Sequence, residues 1–246
     1  MTLEQRPINR YVDHTLLKPD ATQDQFETLL DEAIEHGFEA VCVSPYMAVP
    51  IKNVLNATGY PHIKVCTVVG FPLGNIPLEL KEQETRYFVS RGIDEIDFVL
   101  NYGELKNRQY DYAIKELQTL GDICQKGGAV SKCIVETCFL TKEEKDIIFH
   151  YIKDYAPSVD FIKTSTGFGT AGAQLEDVAR WAELRGDAPR PLIKAAGGIK
   201  TLEGAAAMIA AGADRLGMSA GVQVMEELNE LQNTDTGREE EAGTVS

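Results

Sequence analysis

The sequence predicts a single-domain α/β protein of the (β/α)8 barrel class, the TIM barrel. Eight short apolar or β-branched runs recur along its 246 residues, at roughly the spacing of one strand, one helix and two loops. Stretches of helical period separate them. No Pro/Ser-rich linker or abrupt change of composition divides the chain. The competing architecture, a doubly wound open sheet, usually advertises a Gly-rich turn after its first strand or a P-loop. Neither a G-x-G-x-x-G first turn nor a G-x-x-x-x-G-K-[ST] is read in the chain, so the closed barrel is preferred.

The first run is "RYVDHT" (10–15). Phe26, Leu29, Leu30, Ala33 and Ile34 then mark an apolar stripe, opened by the capping-box spacing of Thr22 and Gln25 and closed by Gly37. The next four runs are "EAVCVS" (39–44), "KVCTVVGF" (64–71), "EIDFVLN" (95–101) and "SKCIVET" (131–137). Thr141 and Glu144 repeat the capping spacing ahead of Ile147, Ile148, Tyr151, Ile152 and Tyr155. "DFIKTST" (160–166) leads to a stripe of Leu175, Val178, Ala179 and Ala182. "PLIKAA" (191–196) precedes Ala205, Met208 and Ile209, which end at Gly212, and "DRLGMS" (214–219) is the eighth run. The barrel is expected over 1–232. The remainder, "NTDTGREEEAGTVS" (233–246), reads as an acidic, disordered tail.

Composition excludes several classes. Hydrophobic content of 43% and charged content of 25% are ordinary for a globular protein. No apolar run reaches the length of a membrane span and no secretory leader opens the chain, so a cytoplasmic protein without a membrane partner is expected. The net charge of −14 argues against nucleic acid, although a local cluster of lysines and N–H groups can still hold a small anion. The five cysteines form no C-x-x-C pair and read as reduced, mostly buried thiols. Cys42, ending the second run, is more readily a core thiol than a nucleophile. The four histidines show no ligand spacing and no G-x-S-x-G elbow is present, so metal-dependent and serine-hydrolase chemistries are poorly supported. No cofactor is expected.

A barrel carries its site at the C-terminal ends of its strands. Polar residues there are Asp13, Asp97, Lys163 and Lys194. A lone strand-end lysine is more often solvated or ion-paired than nucleophilic. Two of them on neighbouring strands change the weighing. Ammonium groups side by side in a partly desolvated pocket repel, which lowers the pKa of at least one. A neutral amine attacks a carbonyl and forms a Schiff base, and Asp97 reaches the same space to balance the remaining cation. The glycines that follow, Gly167, Gly197, Gly198 and Gly217 with Ser219, suit tight turns. As a set after strands 6 to 8 they also suit phosphate, which backbone N–H groups bind where small residues let it approach. Lys200 adds charge at the rim.

Together "YVDHTLLKP", "EIDFVLN", "FIKTSTGFGTAGA", "IKAAGGI" and "RLGMSAG" resemble the 2-deoxy-D-ribose-5-phosphate aldolase family, in order from Tyr11 to Gly221. The resemblance implies a cofactor-free class I aldolase that reversibly splits 2-deoxyribose 5-phosphate into glyceraldehyde 3-phosphate and acetaldehyde. It makes Lys163 the Schiff-base lysine. Lys194 becomes the lysine that tunes it and joins a proton relay, Asp97 the relay carboxylate and Asp13 a supporting member. It assigns phosphate to Gly198, Gly217 and Ser219, with Gly167 and Gly197 behind them. The chain departs from the family at Phe168, where some members carry a lysine, and at Met218 and Ala220, where hydroxyl residues are frequent. The terminal tyrosine of some members is also missing. Two other activities share the same residues: another Schiff-base barrel lyase, and a sugar-phosphate isomerase whose lysines only bind phosphate. The partners expected are small phosphorylated sugars and aldehydes, with a homodimer as the assembly.

Overall fold

The computed structural model describes residues 6–242, with side chains through residue 233. Eight strands form: β1 (Val12–Leu16), β2 (Ala40–Val43), β3 (Lys64–Val69), β4 (Glu95–Val99), β5 (Val130–Ile134), β6 (Phe161–Lys163), β7 (Leu192–Ala196) and β8 (Arg215–Met218). Each falls within or overlaps one of the eight runs read from the sequence. All neighbours pair in parallel, and β8 returns to β1 through Val12 and Leu216, closing the barrel. One residue of register has chemical consequence: Lys163 lies directly beside Lys194.

The helices are α1 (Gln23–His36), α2 (Pro45–Ala57), α3 (Leu78–Ser90), α4 (Tyr102–Lys106), α5 (Tyr110–Gly127), α6 (Lys142–His150), α7 (Leu175–Arg185), α8 (Leu202–Ala210) and α9 (Gly221–Ala242). Helix α1 begins where the sequence places its cap. Thr22 and Gln25 form a reciprocal capping box, and Gly37 ends the helix at φ 62°, a left-handed conformation that glycine adopts without a Cβ penalty. Thr141 and Glu144 cap α6 in the same way, after which one π turn, Tyr151–Tyr155, carries the chain toward β6. Helix α9 continues to Ala242, into the stretch the sequence reads as a tail; its Arg, Glu and Ala are good helix formers. Residues 243–246 lie outside the described residues.

The apolar core fills the layer between the barrel's outer face and the helices. Val41, Val65, Ile96, Ile162, Ile193 and Leu216 point outward from the strands and meet helical residues such as Leu29, Leu55, Leu117 and Trp181. Each such side chain, fully buried, contributes about 1.5–3 kcal/mol. One ion pair is sealed into this layer: Lys81 of α3 and Glu116 of α5, both inaccessible to solvent. Lys81 also donates to Val99 O at 2.8 Å, and Glu116 accepts Asn101 N–H at 3.0 Å, so the pair fixes the chain as it leaves β4.

The inward strand positions are different in kind. They bring Asp13, Glu95, Asp97, Lys132, Lys163, Lys194 and Arg215 into one lumen, all of them buried. No helix among the described residues is long and apolar enough to cross a membrane.

Candidate active site

Asp97 is the hub of the lumen. One carboxylate oxygen, Oδ2, accepts from Lys163 Nζ at 2.6 Å and from Lys194 Nζ at 2.8 Å. The other, Oδ1, accepts from Lys132 Nζ at 2.8 Å and from the Cys66 thiol at 3.1 Å. Asp13 sits across from it, 2.5 Å from Lys194 Nζ and within hydrogen-bond distance of Arg215 Nε at 2.8 Å. Arg215 and Lys132 also share Glu95, at 3.0 and 2.5 Å from its Oε2. The sequence-predicted quartet of Asp13, Asp97, Lys163 and Lys194 is therefore brought together. Lys132, Glu95 and Arg215 join it from one layer deeper.

These contacts set the protonation states. Burial alone would push the Asp97 carboxyl up, but the three lysine charges outweigh it and hold the group well below its ordinary value. Asp13 is lowered for the same reason, with Arg215 and Lys194 opposing burial. Burial would deprotonate Lys194; Asp13 and Asp97 outweigh it and hold the ammonium above its ordinary value of 10.5. Lys132 is raised likewise, against burial, by Asp97, Cys66 and Glu95. The repulsion expected between the paired lysines thus does not lower Lys194, because each of its two carboxylate neighbours lies within 3 Å. Three carboxylates are matched by three fixed cations, Lys132, Lys194 and Arg215, before Lys163 is counted.

Above the lumen opens a cleft of about 710 Å³. Its walls are the segments after β1, β6, β7 and β8, with one face of α1. Of the lumen's ionisable groups only Lys163 reaches it; Lys194, Asp97 and Asp13 lie beneath, with no exposed surface. Every residue predicted for phosphate lines the cleft: Gly167, Gly197, Gly198, Lys200, Gly217 and Ser219. Gly197 and Gly198 have φ of 83° and 81°, so both require glycine. A Cβ on Gly217 would come 3.0 Å from Ala196 Cβ and 3.2 Å from Lys194 Cε, so glycine there leaves room for both side chains. Lys18 adds a second cation to the rim, from the segment after β1. Phe168 also lines the cleft, half-exposed, its ring edge-on to Phe71 at 5.3 Å.

Two neighbouring groups, His14 and the core thiol Cys42, stand apart from this arrangement. His14 borders the cleft but is buried, with Nε2 2.6 Å from Glu32 Oε2. Burial lowers its pKa despite that partner. Cys42 is fully buried and packs with Cys66 and Val68, outside the cleft lining. Residues 167–172 have G-x-G-x-x-G spacing, yet they follow β6 and do not open a helix, so the dinucleotide mechanism does not apply. Cys42, Cys66 and Asp97 cluster closely enough to suggest a metal. Lys132 Nζ lies 3.4 Å from Cys66 Sγ and 2.8 Å from Asp97 Oδ1, so an ammonium already occupies that position.

Comparison with known proteins bears on this arrangement. Residues 8–227 match the profile of the DeoC/LacD family aldolases. The chain belongs to the DeoC/LacD aldolase family. A deoxyribose-phosphate aldolase of Thermococcus gammatolerans is 46% identical over 219 residues, 89% of this chain and 95% of that one. One from Thermoanaerobacter sp. is 44% identical, covering 92% and 98%. Among solved structures, an aldolase called QR15 superposes with a TM-score of 0.84 at 35% identity, covering 93% of this chain and 98% of that one. A deoxyribose phosphate aldolase from Aeropyrum pernix, described as tetrameric, gives 0.82 at 30% identity, covering 91% and 92%. Against this DeoC/LacD background, sequence reasoning missed Lys132, which stands inside "SKCIVET" just as Lys163 stands inside "DFIKTST". The signal was available: both are charged residues on the inward face of an otherwise apolar run.

Proposed function

We propose that this chain is a class I aldolase that reversibly cleaves 2-deoxy-D-ribose 5-phosphate to D-glyceraldehyde 3-phosphate and acetaldehyde. One observation carries the reading. Lys163 is the one basic side chain of the lumen that opens to the cleft, and Asp97 Oδ2 joins it to Lys194.

The Lys163 amine adds to the C1 carbonyl of the open-chain sugar, giving a carbinolamine. Loss of water leaves an iminium, with Lys194 as the proton source and Asp97 as the relay. The iminium is an electron sink. As the C3 hydroxyl loses its proton to the relay, the C2–C3 bond breaks and its electrons form an enamine. Glyceraldehyde 3-phosphate departs, the enamine is protonated at C2, and water then releases acetaldehyde and Lys163. Asp13 supports Lys194 in its charged state. The glycine-rich end of the cleft, with Ser219, Lys200 and Lys18, holds the phosphate so that C1 meets the amine. With Phe168 in place of a lysine, the anion rests on backbone N–H groups and the two rim lysines. The enzyme acts in the cytoplasm as a homo-oligomer, with the dimer as the expected form.

The test is chemical. Incubation with acetaldehyde and borohydride, followed by peptide mass spectrometry, is expected to place one reduced adduct at Lys163. Lys163→Ala is expected to lose both the adduct and all cleavage. An unlabelled protein, or label scattered over surface lysines, would return the strand lysines to binding roles. Near-normal turnover in Lys163→Ala would do the same.

A further inference from the structure

Glu136 follows β5, at the start of a 3-10 turn over Thr137–Phe139. Its backbone has φ 53°, a left-handed conformation unfavourable for any residue with a Cβ. Its side chain is 1% exposed. A strained backbone and a buried carboxylate at one position need a reason beyond turn formation. Among the described residues its hydrogen-bond donors are Thr166 and the Cys138 thiol, not a cation.

Thr166 stands three residues beyond Lys163. Its N–H points at both carboxylate oxygens of Glu136, at 3.3 and 3.2 Å, and its hydroxyl donates to Oε2. The Thr166 oxygen in turn accepts Phe168 N–H at 3.0 Å. Gly169 then passes so close that a Cβ would fall 2.7 Å from Cys138 Sγ and 3.0 Å from the Glu136 carboxyl carbon. One buried carboxylate therefore clamps the turn from 166 to 169 against the segment after β5. Thr166, Gly167 and Phe168 are all walls of the cleft.

We propose that Glu136 is a positioning residue for the phosphate end of this cleft, fixing Thr166–Gly167 so that the glycine backbone meets the anion. It touches neither the reacting carbon nor Lys163, so its effect falls on the phosphorylated substrate rather than on Schiff-base chemistry. The inference rests on the aldolase reading and on phosphate binding at Gly167.

Two variants test it. Glu136→Gly removes the carboxylate while relieving the backbone, since glycine tolerates this φ. Glu136→Gln keeps the length and one acceptor oxygen. For Glu136→Gly the KM for 2-deoxyribose 5-phosphate is expected to rise about tenfold or more, the scale of losing a charge-assisted hydrogen bond. Cleavage of unphosphorylated 2-deoxyribose, and borohydride trapping of acetaldehyde at Lys163, are expected to stay within about twofold, because neither uses the anion site. Glu136→Gln is expected to fall between. Equal losses on both sugars would make Glu136 a structural residue only and overturn the proposal, as would an unchanged preference. A wild type that lacks the Lys163 adduct, or has no preference for the phosphorylated sugar, defeats the underlying reading whatever the variants do.

Discussion

Replacing Asp97 by Asn tests whether the lumen is an electrostatic unit. Asn fills the same space but removes the charge to which Lys163, Lys194 and Lys132 all donate. The site is fully buried, so water cannot replace the lost carboxylate. Removing one partner of a buried ionic set costs about 3–5 kcal/mol, because the remaining charges stay desolvated and under-compensated. For a chain of this size each kcal/mol moves Tm by about 2–4 °C, giving a fall of about 6–20 °C at neutral pH. The pH dependence carries a second signature. The folded Asp97 carboxyl titrates well below its ordinary value of 3.8, so its charge stabilises the fold above that value. That contribution drains away as pH falls through the folded value. Wild type is therefore expected to lose Tm steeply in acid and Asp97→Asn less steeply, with Asp13 supplying the slope that remains. Thermal melts of both proteins from about pH 7 to about pH 2 measure this. A variant melting within about 2 °C of wild type at neutral pH, or with an identical acid slope, would refute the reasoning.

Lys194→Ala removes the cation between Asp13 and Asp97 and is expected to lower kcat about 10²–10⁴-fold, with slower borohydride trapping that still falls on Lys163. Trapping at the wild-type rate would count against its place in the relay. Lys81→Met leaves Glu116 buried and unpaired and is expected to cost about 3–5 kcal/mol, most of it recovered by adding Glu116→Leu. Burial already raises the Glu116 carboxyl above its ordinary value of 4.5, even against Lys81. A raised carboxyl favours the fold at low pH and loses that advantage as pH rises through its folded value. The Lys81→Met deficit is therefore expected to shrink in acid, where Glu116 protonates; chemical denaturation at two pH values reads it.

Much of this was legible because the strands of a parallel barrel are buried on both faces and read as apolar runs whatever their partners. Helices α1, α6 and α8 were legible from caps or apolar stripes; α7 was legible in place but not in facing, because Leu175 and Ala179 of its stripe are exposed and the buried face is Val178 with Trp181. Helices α3 and α5 were not, and the cause is local. Their buried faces carry Lys81 and Thr85 on one and Glu116 on the other, so an apolar count sees a broken pattern where an ion pair completes it. Lys163 and Lys194 stood out because glycines and small residues follow them. Glu95 and Arg215 begin their strands, where nothing in the sequence separates a buried charge from a solvated one. Glu136 left no trace in sequence, since only coordinates reveal a positive φ at a residue other than glycine.

The proposal that Lys163, and not another amine of the lumen, forms the Schiff base rests on charge and position together. Lys132 and Lys194 each neutralise buried carboxylates, so modifying either would strand a buried charge. Lys163 contributes a fourth basic group to three carboxylates that Lys132, Lys194 and Arg215 already match. A Schiff-base cycle takes the nitrogen from neutral amine to cationic iminium to neutral enamine and back. A residue whose charge the network needed could not follow that cycle without a penalty of several kcal/mol at each change. Asp97 keeps Lys132 as an ammonium partner throughout, and Lys194 except while its proton is passed to the substrate, so it can accept from a charged Lys163 nitrogen or do without one. A lumen filled with Val, Ile and Leu would hold the barrel at least as well. On the proposed reading, the ionic filling is better explained as the setting that lets one amine, Lys163 at the floor of the cleft, change charge while Lys132 and Arg215 stay fixed.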